Sequence, residues 1–134
     1  MRWDAVIPDW VDRLLSDAAL VQHLGGQLNV FPANASRPVK VPSVEYLMVG
    51  DRPTEIFSEI QVQVDVFARG LRLAGLIEKR VRLLTHKDVA QELGGERMWL
   101  QYQDSRTVDF PSDPGVIHRI LDFEFTPVRN YNAA

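Results

Sequence analysis

The 134-residue chain contains no cysteine. Disulfides, thiolate metal sites and cysteine nucleophiles are thereby excluded, and the composition fits a reducing cytoplasm. A large excess of either charge is also lacking: 15 Lys and Arg stand against 18 Asp and Glu, a formal net charge of -3. That balance argues against non-specific nucleic-acid binding while leaving room for one basic helix face. No run reaches about 18 apolar residues, so no membrane-spanning helix is expected. The opening "MRWDAVIPDW" lacks an apolar h-region, so no signal peptide is expected either. Internal repeats and low-complexity tracts are missing. So are the motifs of common chemistry: no G-x-S-x-G elbow, no P-loop and no G-x-G-x-x-G. "LGGQ" and "LGGE" read as helix stops before strands rather than as phosphate cradles.

The three histidines do not repair this lack. His86 and Asp88 form an H-x-D pair with no third ligand at a convincing spacing. His118, Asp122 and Glu124 fall on one side of a strand, a pattern that reads as a solvated face before it reads as a cation site. No cofactor, metal or catalytic residue is expected. What remains is one domain, residues 1–134, long enough to bury roughly two-thirds of its unfolded surface without staples.

The most ordered stretch is "SEIQVQVDVFARGLRLAGLIEKRVRLL", residues 58–84. Ile60, Val62, Val64 and Val66 alternate with Glu59, Gln61, Gln63 and Asp65, the pattern of a strand with one face on a core and one face wet. Such a strand favours antiparallel pairing. After Gly70 the period changes to that of a helix from about Leu71 to Leu84. Leu73, Ala74, Ile77, Val81 and Leu84 form its sheet-facing stripe.

That helix carries more than one apolar side. Leu76 and Leu83 lie nearly opposite the stripe, among Arg72, Lys79 and Arg80, where a helix used once should be polar. Two destinations are open to them: beneath the first helix of the same chain, or against another subunit. Gly75 in mid-helix costs about 1 kcal/mol relative to Ala, which implies a close neighbour. Arg69, Arg72, Lys79, Arg80 and Arg82 share one side, read as solvated or subunit-facing because no aromatic residue interleaves with them. Glu78 and Arg82 have the spacing of an i,i+4 pair. Trp3, Trp10 and Trp99 read as core or interface.

Elsewhere, Pro8 suits the first turn of a helix whose apolar face holds Trp10, Val11, Leu14 and Leu15. Ser16 or Asp17 is placed to cap a second short segment, which Gly25 and Gly26 end. "LNVF" suggests a short strand, "PANASRPVKVP" a loop or extended edge, and "SVEYLMV" (43–49) a strand broken at Gly50 and Pro53. "THKDVAQELGG" reads as a helical turn closed by Gly94 and Gly95. "ERMWLQYQ" and "VIHRILDFEF" read as strands of a hairpin with a long tip. The expected fold is α+β: an antiparallel sheet of about four to five strands with helices packed on one face, in the order α-β-β-α-β-β.

Taken in order, these segments resemble the tail-terminator, or tail-completion, proteins of long-tailed bacteriophages and gene-transfer particles. The residues that carry the resemblance are "LLSDAALVQHLGGQLNVFP", "VPSVEYLMVGD", "EIQVQVDVFARGLRLAGLIEKRVRLL" and "SRTVDFPSDPGVIHRILDFEF". The resemblance implies a non-enzymatic virion protein, made in a host bacterium's cytoplasm and located at the tail-neck junction. Its implied partners are further copies of itself in a ring, usually hexameric, the major tail-tube protein, and a head-closure or connector protein. No membrane and no direct nucleic-acid recognition are implied. A closed ring needs two different patches per subunit. Leu76, Leu83, Arg72, Lys79 and Arg80 are candidates for one. The strand faces bearing Glu59, Gln61, Gln63 and Asp65, or Asp122 and Glu124, are candidates for its acidic counterpart. Asp51, Arg52 and Arg106, on the turn-rich segments 50–56 and 104–115, are candidates for contact with a neighbouring ring or tube.

Overall fold

The structure is a computed structural model that describes residues 3–49 and 59–128. It is α+β. The helices α1 (Trp3–Leu15) and α2 (Ala18–His23) precede strands β1 (Val30–Pro32), β2 (Ser43–Val49) and β3 (Ile60–Arg69). Helix α3 (Leu71–Thr85) follows, then β4 (Gln91–Leu93), β5 (Glu96–Val108) and β6 (Val116–Pro127). One six-stranded sheet holds them in the order β1-β2-β3-β6-β5-β4. The sheet is mixed, because β1 runs parallel to β2 while every other pairing is antiparallel.

The sheet therefore exceeds the expected four to five antiparallel strands. The short strand expected around "LNVF" is present as β1. The further strand, β4, replaces the helical turn expected over 85–95: its residues pair Gln91 with Met98 and Leu93 with Glu96. Gly94 and Gly95 close a strand turn, not a helix. Helix α1 also begins earlier than expected, at Trp3, so Pro8 lies inside it. Residues 104–108, read as part of a loop, continue β5, and only 109–115 form the hairpin tip.

The valine face of β3 does what its alternation implies. Ile60, Val62, Val64 and Val66 are buried against Val6, Trp10 and Leu14 of α1 and Ala74, Ile77 and Val81 of α3. Leu121, Phe123 and Phe125 extend that face along β6, opposite Val64, Val62 and Ile60. Trp10 sits in the middle, with edge-to-face contacts to Tyr46 and Phe125 at 5.7 and 5.4 Å. Each such side chain contributes roughly 1.5–3 kcal/mol when fully buried. All the helices that feed this core lie on one side of the sheet, as expected.

The close approach of α1 to the β4–β5 turn is built on Gly94. Its φ is +59°, and a Cβ there would stand 2.5 Å from the carbonyl carbon of Ala5. Its N–H donates to Asp9 Oδ2 at 2.7 Å. Only a glycine lets the two backbones meet.

Candidate functional site

Two surfaces stand out on opposite sides of the sheet. The first is the outer side of α3. Leu76 and Leu83 are 38% and 51% exposed, so they do not pack beneath the first helix of the same chain. Apart from the backbone of its own helical turn, no heavy atom of the described residues lies within 4 Å of where the Gly75 Cβ would be, so those residues do not supply the expected close neighbour. Arg72, Lys79 and Arg82 are exposed beside these residues. The basic side is smaller than its sequence suggested. Arg80 turns away and donates twice to Asp17, each bond 2.6 Å long. Arg69, on β3, pairs with Asp113 at the hairpin tip.

Between α3 and β5 this surface sinks into a groove of ≈ 530 Å³. Gly75, Lys79 and Leu83 follow one another along its helical wall, and Tyr102 forms the opposite wall. The Arg82 guanidinium lies 3.8 Å from the Tyr102 ring centroid, a cation–π stack. Arg82 thus does not make the expected pair with Glu78. Glu78 is buried and accepts instead from Arg119 of β6, at 3.1 and 2.9 Å. Hydrogen bonding to Glu78 raises the Arg119 pKa above its ordinary value, against the cost of desolvation. His86 closes the groove, its Nδ1 accepting from the Tyr102 N–H at 2.9 Å. That acceptor role leaves Nδ1 committed to the fold, and Asp88 lies 3.7 Å from the other ring nitrogen.

The second surface is the sheet face that, among the described residues, no helix covers. The register arranges it in rows. Val49, Gln61, Glu124 and Gln101 form one row; Leu47, Gln63, Asp122 and Asp104 form the next. Leu47 and Val49 are 42% and 41% exposed. Asp122 bonds Arg106 at 2.6 Å, so Arg106 lies on this face rather than on a free loop. Among the described residues, Glu124 meets only Gln61 and Thr126, at 3.4 and 3.3 Å.

The far end of the same face is not wet, contrary to the alternation in β3. Phe67 and Asp65 are buried. The Phe67 ring stacks on His118 at 4.3 Å and meets Phe110 from the hairpin tip at 5.5 Å. His118 Nε2 lies 2.8 Å from Asp65 Oδ1. His118 is therefore turned toward Asp65, not toward Asp122 and Glu124. Glu45, in the row of Asp65, has its carboxyl pushed above the ordinary value by burial, with Asp65 adding and Arg37 and His118 opposing. Among the described residues, no three His, Asp or Glu side chains group as metal ligands, and no helix is long and apolar enough to cross a membrane.

The fold also matches one found in an assembled particle. This chain is similar to a chain in the solved structure of the virion of a native gene transfer agent (GTA) particle. The TM-score is 0.73 at 15% identity, and the likeness covers 92% of this chain and 95% of that chain. At that identity the likeness is one of fold. No protein-family model matches the chain, and no curated protein sequence does.

Of the sequence candidates, Leu76, Leu83, Arg72 and Lys79 come together on one surface. Arg80 is spent on Asp17 and Arg106 on Asp122. Asp51 and Arg52 lie outside the described residues. Sequence reasoning missed Tyr102 and His86 as walls of the groove, and Leu47 and Val49 as exposed apolar residues. Their strands and loops were legible, but which elements face each other is set by sheet order, which no local pattern encodes.

Proposed function

We propose that this protein is a structural virion component, and more specifically a ring-forming protein that caps the head-proximal end of a phage-like tail tube. In that role it stops tube polymerisation and joins the tail to the head connector. The observation that carries the reading is the likeness to a gene transfer agent virion chain, which runs nearly end to end in both chains. The order of segments resembling tail terminators supports the finer assignment. The exposed apolar-basic side of α3 supports self-association, because contiguous apolar surface rimmed by polar residues marks interaction sites. The function is assembly rather than catalysis.

Negative-stain microscopy of the purified protein, with and without the major tail-tube protein, tests this directly. Rings, or tubes closed at one end, are expected. Rings that ignore tubes yet bind a head connector would replace the reading with another neck component, a head-closure or adaptor protein. Absence of any ring and of binding to either partner would overturn it.

A further inference from the structure

We propose that α3 of one copy docks on the uncovered sheet face of the next, so that the helix lies between two sheets. The inference rests on the self-assembling reading above and names the two surfaces involved. A helix buries one stripe when it covers one sheet, and a second apolar side calls for a second cover. Leu76 and Leu83 provide that side, 38% and 51% exposed. Gly75, with open space where a side chain would be, lets another backbone come near.

The sheet is equally incomplete. Its open rows present Leu47 and Val49, both more than 40% exposed, on the face opposite α1 and α3. Charge makes the two surfaces complementary. Arg72, Lys79 and Arg82 form no ion pair among the described residues, and neither do Asp104 and Glu124. The cations rim the leucines of the helix; the carboxylates share rows with the apolar residues of the sheet. One copy cannot bring them together, because the sheet itself stands between them. The contact is therefore heterologous, the kind that closes into a ring when the rotation permits.

The cysteine-free chain allows a direct test on the full protein, alone and bound to tail tubes. Leu76→Cys and Leu47→Cys are made separately and mixed under mild oxidation. A disulfide between the two variants is expected, with neither variant pairing with itself. Leu76→Cys linking to Leu76→Cys would overturn the proposal in favour of a two-fold α3–α3 contact. As a second measure, Lys79→Glu and Glu124→Lys should each weaken self-association by about tenfold or more, since like charges then meet. Mixing these two variants should restore assembly, because one junction keeps its native pair and the other carries it reversed. No loss on reversal, or loss without recovery on mixing, would overturn the proposal. Tubes capped by rings that never cross-link would sink this interface and leave the ring reading standing. Cross-linked rings that ignore tubes would do the opposite.

Discussion

The indole N–H of Trp10 donates to the hydroxyl of Thr85 across 75 residues of chain, at 3.0 Å and with both residues fully buried. This bond fastens the middle of α1 to the last turn of α3. Thr85→Val keeps the shape and removes the acceptor, leaving a buried N–H with no partner. The expected cost is about 1–3 kcal/mol, read as a lower midpoint in urea at unchanged slope. A midpoint equal to wild type would show that water or a shifted side chain takes the hydroxyl's place.

Gly94→Ala should be among the most damaging small substitutions. The added methyl would stand 2.5 Å from the Ala5 backbone at a φ of +59°, and a backbone cannot give way as a flexible side chain does. Overpacking alone costs about 1–3 kcal/mol, with the left-handed strain added. Gly95→Ala is the control: its φ is +77° but no atom lies within 4 Å. Gly94→Ala should therefore melt well below Gly95→Ala.

Gly75→Ala should act in two directions. Helix propensity predicts a gain of about 1 kcal/mol for the isolated chain, since the site is open. If a neighbouring copy approaches there, the same methyl should weaken assembly. A raised melting temperature with reduced ring formation is expected; a raised melting temperature with undiminished rings would place the close approach elsewhere.

Asp17 links stability to pH. It caps α2 by accepting from the Leu20 N–H at 2.9 Å and holds Arg80 with both oxygens. The Arg80 hydrogen bond lowers its pKa below the ordinary 3.8, against desolvation and with help from Leu20. A carboxylate depressed in the fold contributes stability above its unfolded pKa, and that contribution is lost as pH falls through the folded value. Asn still caps a helix, so Asp17→Asn should flatten the acid limb of a melting profile taken from about pH 6 to about pH 2. Glu45 has the opposite sign. Burial raises its pKa above 4.5, so ionisation opposes folding as pH rises from that point through the folded value. Glu45→Gln should thus be neutral or stabilising at neutral pH, measured in the same melts.

Much of the fold was legible because it rests on local periods. The alternation at 60–66 and the change to helical spacing after Gly70 are written in the order of residues, and both are where they were read. The failures have physical causes. Pro8 marks a first turn only when nothing upstream is helical, and Val6 and Ile7 extend the buried face of α1 before it. Gln91–Leu93 is too short to show a period, and it is a strand because β5 offers it an edge. Phe67 and Asp65 sit on the side that alternation marks as wet, and are buried because Phe110 and His118 close over them.

By itself the sequence determined which residues must leave water, the valine face of β3 and the Ile77–Val81 stripe of α3, and it marked Leu76 and Leu83 as surplus to that stripe. Periodicity encodes a face without naming what covers it. Only the tertiary structure decided that α1 does not cover those leucines, that Arg80 and Arg106 are already held by carboxylates, and that Leu47 and Val49 lie exposed across the sheet. Those outcomes depend on strand order and register, which arise from contacts between segments far apart in the chain.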